Sequence, residues 1–203
     1  MSSDSTSHYP QALPVEEQFL LAVPCYGAMM TQPFAMSMVT TLTKSPFIGS
    51  LEFVLNDSLV PRARNTLAAK FLQSKHDWLL FLDNDLEFSH EHIARLWLHG
   101  IKMGRKIVCG LYAFKQIKPL WVANWLPGEK PDENGAVRIS YGGTGCMLIH
   151  RSVFETMRIK MPEIAYTSDP NHPEPNATQW DFFAIGPYRY PNGTVRYLSE
   201  DWM

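Results

Sequence analysis

The sequence predicts an α/β protein, a three-layer α/β/α sandwich around a mostly parallel mixed sheet. Three observations carry that expectation. Four short apolar runs, at residues 19–23, 51–55, 78–82 and 107–111, are continuous and partly β-branched or aromatic, as strands buried on both faces would be. Their starts lie roughly thirty residues apart with helical patterns between them, which is the spacing of βαβ units. The chain has 203 residues, 45% hydrophobic and 19% charged, enough for one sizeable core but not for two independent domains.

Taken in order, residues 1–17 read as a flexible, Ser-rich tail, and residues 18–203 as a single domain. In the first helical gap Thr31 and Pro33 precede Phe34, Met38 and Leu42, an i, i+4, i+8 stripe. Pro61 opens a second helix with Ala63, Leu67 and Phe71 on one face. Ser89 caps a third, with Glu91 in its first turn and Ile93, Leu96 and Trp97 facing inward. After Leu111 the character changes. Trp121, Trp125, Pro127, Pro131 and Gly135 mark an irregular stretch. Gly142, Gly143 and Gly145 then lead into a short strand at 146–149, and residues 151–157 read as a helix. Residues 161–191 are rich in loop formers, and a loop that long in a compact domain is commonly functional.

Composition removes several function classes. The formal charge is -2 and no basic stripe is visible, so no nucleic-acid partner is expected. Cys25, Cys109 and Cys146 are far apart and lack C-x-x-C spacing. They read as plain buried thiols in a reducing compartment. Residues 1–11 are polar, with no signal-peptide core, and no apolar run reaches the ~20 residues of a membrane span. The expected location is therefore cytoplasmic, and the N-x-[ST] sequons at Asn56, Asn176 and Asn192 are expected to go unread.

Chemistry concentrates in four places. The first is the strand ending in Asp83-Asn84-Asp85. Carboxylates at i and i+2 point to one face of an extended chain, and ligands of open parallel sheets bind outside the strands' carboxyl ends. Two like charges that close are tolerable beside a cation. Mn²⁺ or Mg²⁺ is commonly held by one or two carboxylates, with substrate phosphates and water completing the shell. The bland alternative is a solvated strand-to-helix turn. The second is Pro61-Arg62-Ala63-Arg64-Asn65, two arginines at a helix start where free N–H groups favour anions; a solvated helix end is the alternative. The third, Gly142-Gly143-Thr144-Gly145 before a strand, lacks the order of a dinucleotide fingerprint but lets backbone approach a ligand closely. The fourth is the acidic pair Glu200-Asp201. His90-Glu91-His92 lacks the second zinc-protease histidine, because Ala94 stands there, and no G-x-S-x-G elbow is present.

In this order and spacing the four pieces resemble glycosyltransferases of the GT-A fold, particularly the family-two-like enzymes of bacteria, phages and large DNA viruses. The resemblance runs from about Phe19 to the last residue and includes Val23-Pro24-Cys25-Tyr26. It implies a metal-dependent hexosyltransferase moving a sugar from a UDP- or GDP-linked donor to a hydroxyl of a glycan or other acceptor, with inversion. Residues 18–110 would be the nucleotide-binding lobe and 111–203 the acceptor-side lobe. Pro24, Tyr26 and Arg64 would surround the nucleoside. Asp83 would face the ribose or a metal-bound water, and Asp85 would ligate Mn²⁺ or Mg²⁺, with Asn84 as the variable centre of the D-x-D motif. Gly143, Thr144 and Gly145 would line the sugar and acceptor pocket. Asp201, with Glu200, matches the pair supplying the general base. Enzymes of this kind continue past that pair with an acceptor-side segment and a metal-binding histidine, so the lobe is expected to be truncated at Met203.

Two competing readings follow from the same residues. A nucleotide-sugar-binding module would keep the donor site without full catalysis. A haloacid-dehalogenase-like phosphatase also places D-x-D after a buried strand. That family carries the motif on its first strand and usually has Thr or Val where Glu87 stands here.

Overall fold

The computed structural model describes residues 13–113, 121–169 and 177–199. The fold is mixed α/β, and its centre is a five-stranded mixed sheet in the order β2-β1-β3-β7-β4. The first half supplies β1 (Phe19–Cys25), α1 (Gln32–Lys44), β2 (Ile48–Leu55), α2 (Val60–Gln73), β3 (Trp78–Leu82), α3 (His90–Trp97) and β4 (Ile107–Cys109). β1 pairs parallel with both β2 and β3. β7 (Cys146–His150) inserts between β3 and β4 and runs antiparallel to both. α4 (Arg151–Lys160) follows it.

Only two of the four apolar runs are buried along their whole length. Every residue of β1 and β3 is buried. β2 and β4 are the sheet's two edges, and their side chains are half-buried or exposed. The fourth run is also shorter than expected, since its strand stops at Cys109. An apolar run reports strand propensity but not rank within the sheet, which depends on distant pairing.

Core residues divide between the two sheet faces. Phe19, Leu21, Val23, Leu80 and Leu82 pack with Phe34 and Met38 of α1 and Ile93 and Leu96 of α3. Leu20, Ala22, Leu79 and Phe81 pack with Leu67 and Phe71 of α2, Phe154 of α4, and Phe183. The stripes expected on α2 and α3 are buried as read. That on α1 is not: Leu42 is exposed and Thr41 is buried in its place. Thr31 caps α1 by accepting from the Phe34 N–H at 3.3 Å. At α3 the Ser89 N–H donates to His92 Nδ1 at 3.2 Å, and the helix runs on through a π turn, Leu98–Lys102.

Most of the expected tail lies outside the described residues. Glu17 at its end is docked: its carbonyl accepts from Trp97 Nε1 at 3.0 Å and its carboxylate pairs with Lys102 at 2.8 Å. The second half adds three two-stranded antiparallel ribbons. They are β5 (Ala123–Trp125) with β6 (Ile139–Gly142), β8 (Ala165–Thr167) with β9 (Thr178–Trp180), and β10 (Gly186–Arg189) with β11 (Val195–Leu198). The stretch at 161–191, read as loop, thus contains short strands.

Two side chains tie the halves together. Arg151 donates to the carbonyls of Phe71, Leu72, Ser74 and His76 at 2.6–3.1 Å, satisfying the open C-terminal end of α2. Asn65 donates to Asp181 at 2.8 Å and accepts from the Phe183 N–H at 3.1 Å.

Candidate functional site at the carboxyl ends of the parallel strands

The three parallel strands end on one side of the sheet, and there they part. β1 stays paired with β2 through Cys25 and Leu55, but its pairing with β3 stops at Ala22 and Phe81. Pro24, which has no N–H to donate, sits just past that point and is buried within β1. The divergence creates a crevice bounded by the turns that follow β1 and β3.

Asn84 fastens those two turns together. Its Nδ2 donates to the Met29 carbonyl at 2.6 Å, and its own carbonyl accepts from the Thr31 N–H at 3.0 Å. The turn after β1 needs that support: Gly27 and Ala28 both have positive φ, 69° and 54°, and for alanine this is a costly conformation. The side chain of Asn84 is thus spent on scaffold. Tyr26, in the same turn, is 65% exposed and available to a ligand stacking above it.

Asp83 takes its place from both neighbouring elements. Its N–H donates to the Gly145 carbonyl at 2.8 Å, prolonging the β3–β7 ladder by one bond. Its Oδ1 accepts from Arg64 Nη2 at 2.7 Å. Arg64 is not the solvated residue of an open helix end. It is 1% exposed, lies over the Phe81 ring at 5.3 Å, and leaves Nε and Nη1 without a hydrogen-bond partner. A guanidinium buried with one carboxylate contact holds that carboxylate ionised and oriented, because either charge alone there would be costly. Arg62, two residues earlier, turns outward and pairs with Asp57 at 2.8 Å, which raises its pKa.

The glycines form the third wall. A side chain at Gly145 would come within 2.6 Å of both Asp83 Oδ2 and the Tyr112 hydroxyl. At Gly143 it would run into Tyr112 and Val122. The Gly145 N–H donates to Tyr112 Oη at 3.0 Å. Thr144, between them, is buried. Tyr112 was not singled out by its sequence context, where it sits in an unremarked loop after β4. The turn from β3 therefore brings together Arg64, Asp83, Asn84, Gly143 and Gly145, with Asp85 two residues further on and half-buried. Glu200 and Asp201 lie outside the described residues.

As a metal site this donor set is sparse. Among the described residues no group of three or more His, Cys, Asp or Glu side chains converges, and one oxygen of Asp83 is engaged by Arg64. The residues fit an ion held largely by a ligand's phosphates, with Asp85 as protein ligand and Asp83 Oδ2 turned toward a hydroxyl or water. They do not fit a preformed metal cage.

A cleft of about 1160 Å³ opens on the far side of the glycine turn. Tyr112 and Thr144 line it, together with Cys109, Cys146, Trp125 and Tyr141, whereas Arg64, Asp83 and Asp85 do not. Burial pushes the Cys146 thiol up to about 12, so this cysteine is an inert packing group. All three cysteines are free thiols. Among the described residues no helix is long and apolar enough to cross a membrane.

No protein-family model matches the chain, and no curated protein matches it. Among solved structures it is similar to the crystal structure of A197 from STIV. The two are 19% identical, with a TM-score of 0.48 over 68% of this chain and 67% of that one.

Proposed function

We propose that the protein is a metal-dependent glycosyltransferase of the GT-A type, moving a hexosyl group from a UDP- or GDP-linked donor to an acceptor hydroxyl. The observation that carries this reading is the Arg64–Asp83 pair beside Asp85 at the mouth of the β1–β3 crevice. The sheet supports it: parallel strands β2, β1 and β3 are followed by an antiparallel strand carrying the Gly143-Thr144-Gly145 turn, in the mostly parallel mixed arrangement such enzymes use.

Each residue then has a task. Tyr26 offers an exposed ring against the base. Asp83, held ionised by Arg64, accepts from a ribose hydroxyl through its remaining oxygen. Asp85 holds Mn²⁺ or Mg²⁺ with the donor diphosphate, and the ion would offset charge on the departing nucleoside diphosphate. Gly143 and Gly145 leave room for the sugar ring against backbone. The family resemblance gives the general-base role to Asp201, with Glu200 beside it.

Because the protein supplies so few metal ligands, Mn²⁺ alone is expected to leave the melting temperature unchanged, while Mn²⁺ with UDP or GDP raises it. Asp85→Ala is expected to abolish that rise. A nucleotide-induced rise that survives unchanged in EDTA would sink the metal-bridged reading. Release of nucleoside diphosphate from a donor separates an enzyme from a binding module.

A further inference from the structure

The cleft beyond the glycine turn is larger than a nucleotide needs, and its chemistry is particular. Its volume of about 1160 Å³ exceeds the ~300–1,000 Å³ usual for a small-molecule site. Two of its aromatic residues, Trp125 and Tyr141, are 46% and 39% exposed on the β5–β6 ribbon. Exposed aromatic side chains on a short ribbon contribute little to a core and commonly mark a ligand surface.

The charged residues of the wall occur as opposite-sign pairs. Arg105 pairs with Asp132, and Arg138 with Glu129 at 3.5 Å. Such pairing leaves no single-sign field to attract an ion. It also interrupts the aliphatic surface that a lipid tail would need, while offering hydrogen-bond donors and acceptors beside the rings. Neutral rings with apolar faces and hydroxylated edges suit that surface.

We propose that the acceptor is an oligosaccharide, seated in this cleft with its rings stacked on Trp125 and Tyr141. The inference rests on the transferase reading and narrows its acceptor to a glycan. Tyr112 joins the two compartments: its ring lines the cleft, while its hydroxyl accepts from the Gly145 N–H beside Asp83. A glycan threading the cleft ends at the glycine turn with its terminal hydroxyl toward the donor. There the hydroxyl oxygen forms a bond to the anomeric carbon. The bond from that carbon to the diphosphate breaks, its electron pair stays on the phosphate oxygen, and the hydroxyl proton passes to the carboxylate base.

The test uses the full chain and three named probes: maltohexaose, chitohexaose and mannohexaose, with phosphatidylglycerol vesicles as the competing class. Binding is read by tryptophan fluorescence, and turnover by nucleoside diphosphate release. At least one hexaose is expected to bind and to raise release at least tenfold over donor hydrolysis. Trp125→Ala is expected to weaken that affinity at least tenfold, with Trp125→Phe retaining most of it and the Mn²⁺-nucleotide melting shift intact in both. If no hexaose binds while that shift is present, the acceptor assignment falls and the transferase reading stands. Vesicle binding that depends on Trp125 overturns it in favour of a lipid. Hexaose binding without any nucleotide effect overturns the acceptor role by removing the transferase reading beneath it.

Discussion

The two halves of the chain bury their side chains in different ways, and the candidate site lies where they meet. In the first half β1 and β3 are buried at every position, and α1, α2 and α3 cover both faces of the sheet they form. The second half gives that sheet β7 and then breaks into short ribbons with exposed positions on β5, β6, β8, β10 and β11. A fully packed half holds charges to fractions of an ångström, as it does Asp83. A half built of ribbons can change its surface residues at small cost to the fold. This is the division expected of a scaffold that fixes one ligand and lets another vary.

The largest expected effect breaks the packed half. Leu80 is fully buried at the centre of β3, and Leu80→Ala is expected to cost about 2–5 kcal/mol in urea denaturation. Next comes the joint between the halves. Arg151→Met removes the donors for four carbonyls at the end of α2, and about 2–3 kcal/mol is expected. If the ribbons unfolded separately, this variant would split the transition in two instead of moving it. A single shifted transition is expected, because Asn65 still pins residues 181–183.

A smaller effect is tied to pH. His99, in the π turn, is held below the ordinary histidine range by burial first and then by Arg105. The unfolded chain therefore binds a proton more readily than the folded one. This stabilising contribution is present above the unfolded value, about 6.5, and is lost as pH falls below it, by at most about 1.4 kcal/mol per pH unit. His99→Gln is expected to flatten the fall of melting temperature between neutral and mildly acidic pH. Since Arg105 also pairs with Asp132, the wall of the cleft should loosen first, visible as earlier amide exchange at 132–136 than in β3.

The same contrast explains what the sequence disclosed. The strands of the first half were legible because burial on both faces leaves continuous apolar runs, and the acidic turn because two carboxylates after such a run are uncommon. The edge rank of β2 and β4 was not legible, nor was the insertion of β7 between β3 and β4, since both are decided by distant pairing. Arg64 was noticed as a charge at a helix start. Its burial followed from Asp83, 19 residues away in the sequence, which no local pattern encodes. Tyr112 was missed because its role depends on Gly145. Asn84 was read as a variable motif position, whereas its amide holds the turn after β1.

At that meeting point, Gly145→Ala sharpens the comparison. The added methyl would press on Asp83 Oδ2 and Tyr112 Oη, both at 2.6 Å, and one of them must move. Overpacking of this kind costs about 1–3 kcal/mol, at the low end here because Asp83 is partly exposed. The expected signature is a loss of nucleotide affinity of about tenfold or more, measured by calorimetry with Mn²⁺ present.

Trp125→Ala is expected to have the smallest effect on stability and a clear one on ligand binding. Trp125 is 46% exposed at the end of a three-residue strand. Surface substitutions of this sort usually fall within about 0.5 kcal/mol. Melting temperature, the urea midpoint and the Mn²⁺-nucleotide shift should therefore match the unsubstituted chain. If Trp125→Ala instead destabilised the fold as Leu80→Ala does, the ribbon would be core, and the distinction between a packed half and a variable half would fail at the residue chosen to represent it. A silent stability change with lost hexaose binding separates the two halves by function, which neither observation could do alone.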